Sequence, residues 1–184
     1  MRLIVVFILL VCLGCKNESD TSNHVDNSDT TAQNSEKTID LEVYDFDGLE
    51  NFLEPKGNKT YVVNYWATWC APCVKELPYF EMLNKNFADD VEVILVSLDF
   101  PSKYESNLKP FIEKHDLKSK VVALNDTDSN TWIPKIDKNW SGAIPATLIF
   151  NKNHRIFYEQ SFEYDELEQE LNQFLTNQSV NDNS

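Results

Sequence analysis

From residue 39 to residue 177 the chain alternates short apolar runs with longer stretches of helical spacing. "IDLEVYDF" (39–46) alternates apolar and polar positions, as a half-buried strand does, and "DGLENFLEP" (47–55) reads as a short helix or turn ended by Pro55. "TYVVNYWA" (60–67) predicts a buried strand. In "APCVKELPYFEMLNKNFA" (71–88), Val74, Leu77, Phe80, Leu83 and Phe87 fall at helical spacing, with Pro78 inside the run. "VEVILVSLD" (91–99) is apolar enough to be a central strand. "KYESNLKPFIEKHD" (103–116) predicts a helix with Leu108, Phe111 and Ile112 on one face, and "KVVAL" (120–124) a short strand. "TLIFNK" and "RIFYEQS", separated by Asn153 and His154, suit a hairpin, and "YDELEQELNQFLTN" (164–177) a closing helix. The order βαβαβ, then a hairpin and a last helix, predicts an α/β fold whose sheet carries helices on both faces.

The first residues have a different character. Arg2 precedes an apolar run from Leu3 to Leu13. Such a run is shorter than the roughly 20 residues a membrane-spanning helix needs and suits the core of a signal peptide. It ends in Leu13-Gly14-Cys15, which resembles the lipobox of bacterial lipoproteins, with Cys12 where that pattern usually has Leu. The resemblance implies that residues 1–14 are removed and that Cys15 becomes the lipidated first residue, anchoring a periplasmic protein to a membrane of the bacterial envelope. The alternative is an ordinary cleaved signal, with Cys15 a bystander. Residues 16–38 hold a single aliphatic side chain larger than alanine, Val25, and are expected to form a disordered tether spanning roughly 25 Å. The domain then occupies 39–177, and 178–184 is expected to be a flexible tail.

The formal charge is −14, and losing Arg2 with the signal makes it −15. That surface repels nucleic acid and anionic lipid headgroups, so no nucleic-acid partner is expected. Acidity of this kind also serves solubility alone.

Cys70 and Cys73, in "WATWCAPC", remain once Cys12 leaves and Cys15 carries lipid. A disulfide between them closes a tiny loop and constrains the unfolded chain little, so a structural staple explains them poorly. Zinc wants four ligands, and no second cysteine pair accompanies them. His24 falls in the tether, His115 at a helix end and His154 in the hairpin, so no metal is expected. A C-x-x-C between a strand and a helix reads as a thioredoxin-like redox site. There Cys70 occupies the helix N-terminus, where unpaired N–H groups and the macrodipole favour the thiolate. Pro72 fits the first turn, and Cys73, more buried, stands on the same face to resolve a mixed disulfide.

"VVNYWATWCAPCVKELP" resembles the thioredoxin superfamily, specifically the TlpA/ResA-like thiol–disulfide oxidoreductases of bacterial envelopes, of AhpC/TSA-Redoxin type. The resemblance covers about 39–177 and implies a thioredoxin-like fold with a central mixed β-sheet. "GAIPATLIF" matches the place of the superfamily's cis-proline with Pro145, and Ile144 before it offers its backbone to an extended substrate. An ordinary strand-entry proline is the alternative. Glu76 matches a glutamate that in ResA-like proteins tunes cysteine acidity, which a carboxylate does by raising a thiol pKa or relaying protons; a solvated helix glutamate is the alternative. Asn64 stands where thioredoxins carry a buried, proton-transferring Asp, a role Asn cannot take. Trp69, Ala71 and Pro72 complete the expected contact surface, and Trp66 is expected in the core. The resemblance implies protein disulfides as substrates, apocytochrome c among them, a membrane electron donor, and no cofactor beyond the Cys70–Cys73 pair itself. A dithiol oxidase or isomerase, or a non-catalytic client-binding module, is the alternative. A peroxidase would carry Thr-x-x-Cys instead. The segment 126–143, with Trp132 and Trp140, is expected to border the site as a recognition lip or as a loop whose tryptophans cover the core.

Overall fold

The computed structural model describes residues 39–181, with side chains through residue 176. The signal segment, Cys15 and the tether lie outside the described residues. A six-stranded sheet has the order β1-β4-β3-β2-β5-β6, with β1 Glu42–Tyr44, β2 Thr60–Trp66, β3 Val91–Ser97, β4 Lys120–Leu124, β5 Ala146–Phe150 and β6 Arg155–Tyr158. β1, β4, β3 and β2 run parallel. β5 pairs antiparallel with β2, and β6 with β5, so the sheet is mixed. The helices are α1 Phe46–Glu50, α2 Ala71–Asn86, α3 Lys109–Lys114, α4 Ser129–Ile136 and α5 Tyr164–Asn181. None of them is long and apolar enough to cross a membrane.

The period-2 alternation of strand side chains divides the core into two halves. Val62 and Trp66 of β2, Val93 and Leu95 of β3 and Ile149 of β5 face one side, where Leu77, Phe80 and Leu83 of α2 and Leu167, Leu171 and Phe174 of α5 cover them. Tyr61, Val63 and Tyr65, Ile94 and Val96, and Leu148 and Phe150 face the other, under α1 and α4. β3 lies inside the sheet and is buried along nearly its whole length, as its apolar run predicts.

Four elements depart from the sequence reading. The first strand ends at Tyr44 because Asp45 caps a helix, its Oδ1 accepting from Gly48 N at 2.9 Å. The helix expected over 103–116 is a composite: a 3₁₀ turn at Pro101–Lys103, a wide π turn at Tyr104–Leu108, and only then α3. Pro110, in the first turn of α3, has no N–H to give, and the Lys109 N–H reaches back to the Tyr104 carbonyl. The third is 126–143, which contains α4 and whose tryptophans are each 5% exposed. Trp132 stacks on Phe46, Trp140 packs against Tyr65 at 4.9 Å, and their rings meet edge-on at 5.6 Å. These tryptophans cover the core, so they form no recognition lip. The closing helix also runs past 177, to Asn181.

Candidate redox site

β2 and β3 end in register, Trp66 opposite Ser97, and Leu98 N donates to Trp66 O at 2.8 Å. The segments that follow leave the same edge of the sheet side by side. This is the carboxyl end of the parallel strands, where open α/β sheets place their sites. From β2 the chain passes through Ala67, Thr68 and Trp69 to Cys70, the N-cap of α2.

Cys70 and Cys73 are joined as a disulfide, with Cα atoms 5.3 Å apart. Cys70 Sγ accepts from Cys73 N at 3.3 Å, which satisfies one of the donors that a helix N-terminus leaves open. Cys73 is wholly enclosed and Cys70 is 6% exposed. The outer sulfur is thus the one at the helix N-terminus, as expected, although only its edge reaches solvent. Trp69, Ala71 and Pro72 are all exposed around it.

The antiparallel pairing of β5 with β2 sets the start of β5, Ala146, beside Tyr65 near the end of β2. The Ile144–Pro145 bond is cis, Pro145 is buried, and the Ile144 carbonyl oxygen lies 3.7 Å from Cys70 Sγ. Residues some seventy positions apart in sequence therefore meet at one sulfur, as the match at "GAIPATLIF" implies. The turn before them is held by Glu159, which accepts from Ser141 N at 3.0 Å, from the Ser141 hydroxyl, and from Ala143 N at 3.2 Å. Hydrogen bonds from the Ser141 hydroxyl and N–H hold the Glu159 carboxyl below the usual carboxylate range. Trp140 Nε1 donates to Ala143 O at 2.8 Å, and Gly142 adopts φ +91°, a left-handed conformation that favours glycine. Glu159→Ala is expected to speed amide exchange at Ser141 and Ala143 while changing global stability by about 1 kcal/mol or less, because the carboxylate is exposed. Unchanged protection of those amides, read by NMR, would contradict this.

Glu76 stands one turn beyond Cys73 on α2 and is fully buried. The solvated-glutamate alternative is therefore excluded. Its Oε1 accepts from Asn64 Nδ2 at 2.9 Å, and its Oε2 from Phe162 N at 2.8 Å and Ser161 Oγ at 3.0 Å. Burial pushes the carboxyl above the usual carboxylate range, against these hydrogen bonds, which favour its ionised form. Asn64 Nδ2 also donates to Thr147 Oγ1 at 3.2 Å, and Asn64 Oδ1 has no partner. The two described histidines lie elsewhere: His115 stacks on Phe111 and His154 meets Phe174 edge-on.

A family model described as the AhpC/TSA family matches residues 31–159. The chain belongs to the AhpC/TSA family. Among its relatives, the thioredoxin-like protein YneN of Bacillus subtilis (strain 168) is 32% identical over 85 residues, 46% of this chain and 50% of that protein. The thiol-disulfide oxidoreductase ResA of Bacillus cereus is 31% identical over 116 residues, 62% of this chain and 61% of that protein. The chain thus spans half to about three fifths of the length of these two relatives. The crystal structure of a thioredoxin-related protein from Neisseria meningitidis serogroup B superposes with a TM-score of 0.53 at 21% identity, over 62% of this chain and 83% of that one. It shares the thioredoxin-like fold.

Within this AhpC/TSA chain, one side chain at the site gave no sign of itself in the local pattern. Asp99, just past β3, is 2% exposed and accepts from Thr68 N at 2.9 Å, from the Thr68 hydroxyl, and from Ser97 Oγ at 2.9 Å. It ties the segment after β3 to the one leading into Cys70. The available signal was its place at the end of the apolar run 91–99, at the edge where such sheets carry their sites.

Proposed function

We propose that the protein is a thiol–disulfide oxidoreductase that reduces disulfides of exported proteins, held at a membrane of the bacterial envelope by lipid on Cys15 and re-reduced by a membrane electron donor. The observation that carries this reading is the unequal placement of the two sulfurs. Cys70 is the outer one, at a helix N-terminus, and Cys73 is enclosed behind it. In the reduced protein the Cys70 thiolate attacks one sulfur of a substrate disulfide, and the other substrate sulfur leaves as a thiolate and takes a proton. Cys73 then attacks Cys70 Sγ in the mixed disulfide and releases the second substrate thiol. The Cys70–Cys73 bond forms as the substrate bond is lost, so two electrons and two protons pass to the substrate. The Ile144 carbonyl beside Cys70 offers an extended substrate backbone a place to align. Glu76, buried one turn from Cys73, is suited to take or give a proton as Cys73 changes state.

The reducing direction and apocytochrome c as one substrate follow the likeness to ResA-type proteins. A Cys73→Ser variant in the native envelope is expected to accumulate mixed disulfides through Cys70, which mass spectrometry of trapped partners reads. Full disulfide-reducing function in a Cys70→Ser variant would overturn the catalytic reading. A measured potential near the oxidising end of the range, about −120 mV, with the pair disulfide-bonded in cells, would overturn the direction.

A further inference from the structure

Among the large hydrophobic side chains of the described residues, the two most exposed are Trp69, at 60%, and Phe100, at 66%. Each directly follows one partner of the Thr68–Asp99 contact. That contact joins the two segments leaving β2 and β3, so the rings it carries flank one cleft of about 470 Å³, whose walls also include Thr68, Asp99, Lys103 and Phe111. Phe111 is fixed there by packing on the buried Trp66 at 5.3 Å. The Asp99 carboxylate is 2% exposed and already holds three donors, and Lys103 is the cationic side chain in the wall of the cleft.

Two large rings left in water beside a buried and satisfied aspartate are not explained by the core. Their position is continuous with the outer sulfur, because Trp69 is bonded to Cys70 and the Ile144 carbonyl lies against the same sulfur. A disulfide-bearing peptide whose cysteine meets Cys70 has its neighbouring residue within about 3.3 Å of chain rise. Resting on the redox reading above, we propose that the Trp69–Phe100 cleft takes a large apolar side chain adjacent to the cysteine of an extended peptide substrate, making Phe100 a specificity determinant and Asp99 the residue that sets the spacing of the cleft.

The test uses the full chain, reduced, with two peptide disulfides that differ only in Phe or Ser beside the cysteine, and with hydroxyethyl disulfide as a small probe of the wild type. In a single turnover of the reduced protein, wild type is expected to prefer the Phe peptide about tenfold in second-order rate constant, the scale of one apolar pocket contact. Phe100→Ala should bring that ratio to about one, a comparison within one protein that does not depend on how much folded enzyme a preparation holds. Equal use of both peptides by wild type, or a preference that survives in Phe100→Ala, overturns the cleft while leaving the redox reading intact. Failure of wild type to reduce any of the disulfides, hydroxyethyl disulfide included, overturns the redox reading and the cleft with it. A dimer in analytical ultracentrifugation that Phe100→Ser dissolves would assign the rings to a second copy of the chain, and also overturns the proposal.

Discussion

Glu76→Ala is expected to lower the unfolding free energy by about 2–6 kcal/mol, from two buried donors left without an acceptor at about 1–3 kcal/mol each. The donors are Phe162 N and Asn64 Nδ2; Ser161 is exposed, so water can replace its partner. For a domain whose total stability is about 5–15 kcal/mol, the loss is severe. Glu76→Gln should behave differently. Its carbonyl oxygen can keep the bonds from Phe162 and Ser161, and its amide can meet Asn64 Oδ1, now unpartnered, after the Asn64 amide turns over. Turning Asn64 over leaves its own buried amide without an acceptor, so the glutamine variant should lose about 1–3 kcal/mol at neutral pH, less than Glu76→Ala.

The same pair of variants tests the titration of Glu76. A carboxyl whose folded pKa is raised takes its proton in the folded state before the unfolded chain does. The stability this contributes is fully present below the unfolded value, about pH 4.3, and is lost as pH rises through the higher folded value. Wild type should lose stability across that window for a reason Glu76→Gln does not share. The difference between the two proteins, from urea midpoints at several pH values, should shift toward the glutamine variant as pH rises. Parallel curves would mean that Glu76 does not titrate out of its ordinary range.

Asp99→Ala is expected to cost about 2–4 kcal/mol, since hydrogen bonds to a charged group are worth about 1.5–3 kcal/mol each and part of the loss is recovered by water at the half-buried Thr68. The local effect should exceed the global one: the Thr68 amide should exchange at least about tenfold faster, because it loses its acceptor outright. Asp99→Asn keeps one carbonyl oxygen for Thr68 N and Ser97 Oγ and should retain most of the protection. If Asp99→Asn proves as damaging as Asp99→Ala, shape and hydrogen bonding are not what this residue contributes.

What could be read directly in the chain is what depends on neighbours in sequence. The seven buried positions of β2, the apolar run of β3 and the helical spacing of α2 carry their own periods. Cys70, Cys73 and Pro72 stand at a strand-to-helix junction that the same periods locate. Where the reading failed, a local signal was outweighed. Asp45 is a helix cap inside a stretch that alternates like a strand, and the cap won. Trp132 and Ile136 are a helical pair, hidden by Pro134 and polar flanks. Asp99 and Phe100 had no period to betray them, because their role comes from the Trp66–Ser97 register between strands thirty-one positions apart. Glu76 was legible as a position, but its partners, up to 86 residues away, were not.

The pairing of β5 with β2 also orders events in time. A chain made from its N-terminus presents Cys70 and Cys73 well before Ile144 and Pro145 exist to face them, and before Ser161 and Phe162 exist to hold Glu76. Strand pairing across such a separation is slow to close. During synthesis the two thiols therefore precede the groups that will face them, and the site arises only when the last third of the chain has joined the fold.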